Sequence, residues 1–264
     1  MTEFVTADDG TRIAFDREGE GPAVIFVGGA FQHRAMDPES RELASRLAAR
    51  GLTVLNYDRR GRGESGGAAP FTLADEITAL RALLDAAGGR AALFGMSSGG
   101  SISLAAAAAG LPVTALALWE VPLDPEGAER PQRFLEGLRQ RIREGDGDAT
   151  VEYFMQDFPP EWIAGAKASP AWVGMTAVGP TLEVDSESLA VAASRPHREL
   201  WGGIRVPVLA LVGADTLPLF PPAADAIAAA VPGARRVDVA GRDHRWDPDE
   251  LARILAEFLL STAG

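Results

Sequence analysis

The chain has 264 residues, 47% of them hydrophobic and 23% charged, with a formal net charge of −12 and no cysteine. That length suits one α/β domain with room for an insertion, and the composition supplies a full core. The acidity disfavours nucleic acid and anionic membrane as partners, and the missing sulfur excludes disulfides, thiolate catalysis and thiolate metal sites. Residues 1–10 have no basic start and no apolar run, so no secretory signal is expected and the protein is read as cytoplasmic. The alanine-rich stretch 103–111 is too short to span a bilayer.

In chain order, residues 3–6 and 12–16 alternate around the turn Asp8-Asp9-Gly10-Thr11, which predicts an antiparallel hairpin. Residues 23–27 are apolar on both faces and stop at Gly28-Gly29, as a buried strand does. Residues 39–50 have helical spacing, with Leu43 and Leu47 on one face and Gly51 as the stop. Strands are predicted at 52–57, 91–94 and 114–119, and helices at 72–87 and 98–109. Such alternation builds a parallel sheet covered on both faces.

The rhythm breaks over residues 122–203. An amphipathic helix is predicted at 130–143 and another at 146–158, and the stretch holds Phe134, Tyr153, Phe154, Phe158, Trp162, Trp172 and Trp201. The sheet pattern then resumes with a strand at 206–212, a helix at 222–230, a strand at 235–239 and a closing helix at 248–260. Residues 122–203 therefore read as an insertion into a core domain made of 1–121 and 204–264.

The sharpest chemical signal is Gly95-Met96-Ser97-Ser98-Gly99-Gly100, placed between a strand and a helix. A serine on so tight a turn needs small residues two positions before and after it. Its hydroxyl is then presented above a helix N-terminus that favours a developing oxyanion. Serine needs a base, and there are three histidines: His33, His197 and His244. His244, between the last strand and the last helix, is placed to serve. His33 is expected at a pocket rim or behind the site, and His197 at the surface. A carboxylate must orient the imidazole, and two candidates stand at strand ends: Glu120 after Trp119, and Asp215 after Gly213-Ala214.

These residues resemble the α/β-hydrolase fold family over nearly the whole chain. Four blocks carry the likeness in order: Val27-Gly28-Gly29-Ala30, the run Asp58-Arg59-Arg60-Gly61-Arg62-Gly63-Glu64-Ser65, the Gly95–Gly99 bend, and His244. More narrowly, the wording around Gly28–Arg34 and Tyr57–Gly61 looks like a group of uncharacterised bacterial, largely actinobacterial, α/β hydrolases. The resemblance implies a mostly parallel eight-stranded sheet with helices on both faces and a helical cap, 122–203, inserted after the sixth strand. It implies a serine hydrolase of carboxylesterase type: Ser97 as nucleophile, His244 as base, and the N–H groups of Ala30 and Ser98 as oxyanion hole. The loop departs from the usual His-Gly by carrying Gly28 in first place, a change that a backbone donor survives. The usual acid position is occupied by Thr216, one residue beyond Asp215. Glu120 matches a branch that places the acid after the sixth strand and is favoured, with Asp215 as the alternative.

Gly29, Phe31, Trp119, Phe154 and Trp172 are the candidate substrate-contact residues. The expected partner is a small acyl substrate, apolar or aromatic, with no metal or cofactor; a homodimer is compatible with the sequence. Three other readings stay open: a cofactor-free perhydrolase or haloperoxidase-like enzyme, a ligand-binding relative with little turnover, and a lyase or transferase using the same triad.

Overall fold

The computed structural model describes residues 1–262. Nine strands, β1 (Thr2–Thr6), β2 (Arg12–Glu18), β3 (Ala23–Val27), β4 (Thr53–Tyr57), β5 (Ala91–Met96), β6 (Val113–Trp119), β7 (Val208–Asp215), β8 (Arg235–Arg242) and β9 (Arg245–Trp246), form one sheet. Their order is β1-β2-β4-β3-β5-β6-β7-β8-β9. β3 to β8 run parallel, while β1, β2 and β9 are antiparallel to their neighbours. The sheet thus has nine strands where eight are expected, the ninth being a two-residue return at the edge.

Alternation along the strands feeds two cores. Ile25 and Val27, Leu93, Leu116 and Leu118, and Val208, Ala210 and Val212 face one layer. It is built with α2 (Leu73–Ala86), α3 (Ser98–Ala108) and α10 (Phe220–Ala230). Val24 and Phe26, Phe94, Ala117 and Trp119, and Leu209 and Leu211 face the other. There α1 (Pro38–Ala48) and α11 (Pro248–Ser261) contribute Leu43, Leu47, Leu251 and Leu255. Helix starts follow local chemistry. Asp37 caps α1 and Asp247 caps α11 by accepting backbone N–H bonds, each with proline at the first helical position.

Between β6 and β7 the chain forms α4 (Arg130–Glu144), α5 (Gly147–Phe154), α6 (Pro160–Ala168), α7 (Ala171–Ala177), α8 (Leu182–Ala193) and α9 (His197–Trp201). Leu138, Val151, Phe154, Met155 and Leu182 make a small core of their own. α4 buries Pro131, Leu135 and Leu138, whereas α6 and α7 bury no residue. No described helix is long and apolar enough to cross a membrane.

Candidate active site

The parallel register brings four strand ends together. Val27 pairs with Gly95, Met96 with Trp119, and Trp119 with Leu211, so the residues following β3, β5, β6 and β7 surround one point. Ser97 follows β5 with φ 53° and ψ −128°, a backbone conformation that non-glycine residues seldom adopt. Its N–H donates to Trp119 O at 2.8 Å, which locks the bend to β6. The flanking glycines are obligatory. A Cβ at Gly95 would stand 2.6 Å from Gly100 Cα, and one at Gly99 would overlap the Val27 carbonyl.

Glu120 extends β6 by one residue with φ 44°, and its N–H donates to Leu211 O at 3.0 Å. The carboxylate is fully buried. Oε1 accepts the Gly213 N–H at 2.8 Å, and Oε2 lies 2.5 Å from His244 Nδ1. An ionised carboxylate only accepts, so Nδ1 carries the proton and Nε2 keeps its lone pair.

Asp243 and His244 both have positive φ (51° and 69°) and link β8 to β9 as a two-residue hairpin loop, Arg242 pairing with Arg245. Positive φ at both central positions is the geometry of a type I′ turn. Three contacts hold it. Asp243 N–H donates to Asp215 O, Trp119 Nε1–H donates to His244 O at 3.3 Å, and the Phe220 ring stacks on the imidazole with centroids 4.6 Å apart.

The other candidate acid stands elsewhere. Asp215 ends β7 with its carboxylate turned outward to Arg242 Nε at 2.8 Å, both side chains mostly exposed.

Ser97 and His244 line one cavity of about 550 Å³, with Ala30, Phe31, Ser98, Trp119, Phe134, Phe154, Phe158 and Trp162 among its walls. Among the described residues the Ser97 hydroxyl forms no hydrogen bond, so it remains available. The Ala30 N–H likewise has no partner among them, and the Ser98 N–H, first in α3, has none within its helix.

The loop bearing Ala30 is held from behind. Gln32 Oε1 accepts the Gly29 N–H, Arg59 Nη1 donates to Gly28 O at 3.2 Å, and Arg62 Nη1 donates to Gly29 O at 2.6 Å. Both guanidiniums are buried and share Asp185 of α8, each at 2.6 Å. Burial works against the charge on Arg62, and Arg59 beside it adds repulsion, bringing its pKa down to about 10. For Asp185 burial also opposes ionisation, but the two arginines prevail and hold it below the usual carboxylate range.

Three expectations need correction. Trp172 lies outside the cavity lining: its ring covers the small core of the segment between β6 and β7, and its indole N–H finds Asp148 Oδ1 at 2.5 Å. Gly29 is also not a wall; it backs the site, where a Cβ would come 2.9 Å from Ser97 Cβ. His197 is buried rather than at the surface, stacked on Trp201 at 4.7 Å, because α9 packs against α3, α8 and α10. His33, expected at a pocket rim or behind the site, is not part of the cavity wall, and burial lowers its pKa. Phe220 escaped the sequence reading because it looks like any apolar start of a helix. Asp185 escaped because a helical aspartate reads as solvent-facing.

Residues 24–254 match the alpha/beta hydrolase family, and the chain belongs to it. It is similar to an alpha/beta hydrolase from Sphaerobacter thermophilus, at 39% identity over 97% of this chain and 99% of that one, with a TM-score of 0.83. A thermophilic esterase from Thermogutta terrifontis shares the fold at 22% identity, full coverage of both chains and a TM-score of 0.74. So does an enol-lactonase from Burkholderia xenovorans, at 20% identity over 98% and 99% of the two chains, with a TM-score of 0.67. No curated protein matches the chain.

Proposed function

We propose that the protein is a serine esterase that hydrolyses small carboxylic esters or lactones through an acyl-enzyme on Ser97. The observation that carries this reading is the buried Glu120 carboxylate 2.5 Å from His244 Nδ1, in a cavity shared with Ser97. That contact fixes the tautomer in which Nε2 accepts a proton. In ligand-free sites the remaining hydrogen bond is often open and tightens when substrate binds.

Ser97 Oγ attacks the ester carbonyl while His244 Nε2 takes its proton. The C=O becomes an oxyanion facing the N–H groups of Ala30 and Ser98. His244 then protonates the leaving alkoxide, and the C–O bond breaks. A water, deprotonated by the same imidazole, attacks the acyl carbon and returns Ser97. Glu120 stays ionised and stabilises the transient imidazolium.

The segment between β6 and β7 acts as a cap, and its aromatic walls favour an apolar or aromatic acyl group. The test is a panel of p-nitrophenyl esters of increasing acyl length, with Ser97→Ala as the blank. Turnover that vanishes in that variant supports the reading. Turnover that persists in it overturns the role of Ser97, and halogenation by peroxide without ester turnover would favour a perhydrolase instead.

A further inference from the structure

Buried in the contact between α3 and α8 is a set of charges that the reaction above does not use. Asp185 is fully buried, and its Oδ1 accepts from Arg59 Nη1 and from the Ser98 hydroxyl, both at 2.6 Å. Oδ2 accepts from Arg62 Nη2 at 2.6 Å. Arg62 is committed on its other sides as well: Nε donates to Thr181 Oγ1 at 2.9 Å, and Nη1 to Gly29 O and Gln32 O. Glu76 lies 3.6 Å from Arg59 Nε and balances the second positive charge.

Two of these contacts converge on the same chemistry. The Gly29 carbonyl and the Ala30 N–H belong to one planar, trans peptide and point in opposite directions. Arg62 holds the carbonyl end, so it sets the direction of the N–H end and polarises it toward donation. Ser98 is held by its hydroxyl while its own N–H stays free.

We propose that Asp185 is the positioning residue of the oxyanion hole. It orients the Ser98 donor through that residue's hydroxyl and the Ala30 donor through Arg62 and the shared peptide. The inference rests on the acyl-transfer reading above. It assigns the inserted segment a role beyond covering the cavity: docking of α8 completes the site.

Four variants test this. Ser98→Ala removes the hydroxyl and leaves the N–H. Ser98→Thr keeps a hydroxyl. Asp185→Asn weakens the hub. Ser188→Ala is the control: Ser188 bonds Ser101 at 2.6 Å across the same α3–α8 contact and meets Asp185, and through Ser101 also Ser98, only at their main-chain carbonyls, so it disturbs the packing while leaving the Ser98 hydroxyl, the Asp185 carboxylate and Arg62 in place. Each is measured for kcat and KM on a p-nitrophenyl ester, and for inhibition by an alkyl boronic acid, whose tetrahedral adduct places an oxygen in the hole.

Loss of one whole donor costs about 100- to 1,000-fold in rate, and loss of its positioning a fraction of that. Ser98→Ala is expected to lower kcat about 10-fold, weaken the boronate by a similar factor and leave KM unchanged. Ser98→Thr should recover most of the loss. Asp185→Asn, where it folds, should cost about 100-fold; the Ser98 pair decides the matter if it does not. Ser188→Ala should stay at the wild-type values. Wild-type kcat and boronate affinity in Ser98→Ala would overturn the proposal while leaving esterase function intact, and so would equal losses in Ser98→Ala and Ser188→Ala. A wild type that hydrolyses no ester would overturn the function itself, and this proposal with it.

Discussion

Replacing Glu120 with glutamine changes one oxygen to an NH2 group and leaves the shape almost untouched, yet the surroundings leave it no good orientation. The two oxygens face two donors, the Gly213 N–H at 2.8 Å and His244 Nδ1 at 2.5 Å, and the side chain is fully buried. A glutamine offers one acceptor and one donor. With its NH2 toward Gly213, two donors collide in a dry site, at about 1–3 kcal/mol of stability. With its NH2 toward His244, Nδ1 must accept, which puts the proton on Nε2 and removes the base. That tautomeric fault costs about 10³- to 10⁴-fold in kcat, on the order of 4–5.5 kcal/mol of transition-state stabilisation. Asp215→Asn loses only an exposed pair with Arg242, within about 1 kcal/mol of stability and about twofold in rate. The assay is kcat/KM on a p-nitrophenyl ester, with circular dichroism to establish that both variants fold. A larger loss in Asp215→Asn than in Glu120→Gln, both folded, would refute the assignment of the acid.

The same geometry makes three further changes informative. Gly29→Ala puts a Cβ 2.8 Å from Met96 O and 2.9 Å from Ser97 Cβ, so it should destabilise by about 1–3 kcal/mol and lower kcat about 100-fold. An unfolding titration and steady-state kinetics on the purified variant check this, and full activity would show that the loop has room. Phe220→Ala removes the face on which His244 stacks; about 3 kcal/mol of stability and about 10- to 100-fold in kcat should go with it, read by the same two measurements. His197 is held below its ordinary pKa of 6.5 by burial, partly offset by Glu126. The unfolded chain therefore binds more protons below about pH 6.5, and stability falls as pH drops. Urea midpoints at pH 7.5 and 5.5 should differ less in His197→Phe than in the wild type; equal differences would remove His197 from the account.

Much of this was legible in the sequence for a simple reason: continuous apolar runs such as Ala23–Val27 have no place but a buried parallel sheet. The Ser97 bend was legible because small residues at Gly95 and Gly99 are a steric necessity, since a Cβ at either position would strike Gly100 or the Val27 carbonyl. What was not legible depends on pairing across the fold. β9 went unseen because Asp243-His244 lacks the glycine that normally marks a type I′ turn, and tertiary contacts from Trp119 and Phe220 hold it instead. α6 and α7 bury nothing, so no apolar period announces them. Asp185 meets Arg59 from 126 positions away, a contact that no local pattern encodes.

The central claim, that Ser97 becomes acylated, is tested most directly by mass spectrometry. The enzyme is mixed with p-nitrophenyl butyrate, quenched in acid during turnover, digested and analysed. The account predicts a butyryl group on the peptide containing Ser97, accumulating further in Glu120→Gln if deacylation slows with it. Turnover with Ser97 unmodified and the acyl group on another side chain would contradict it.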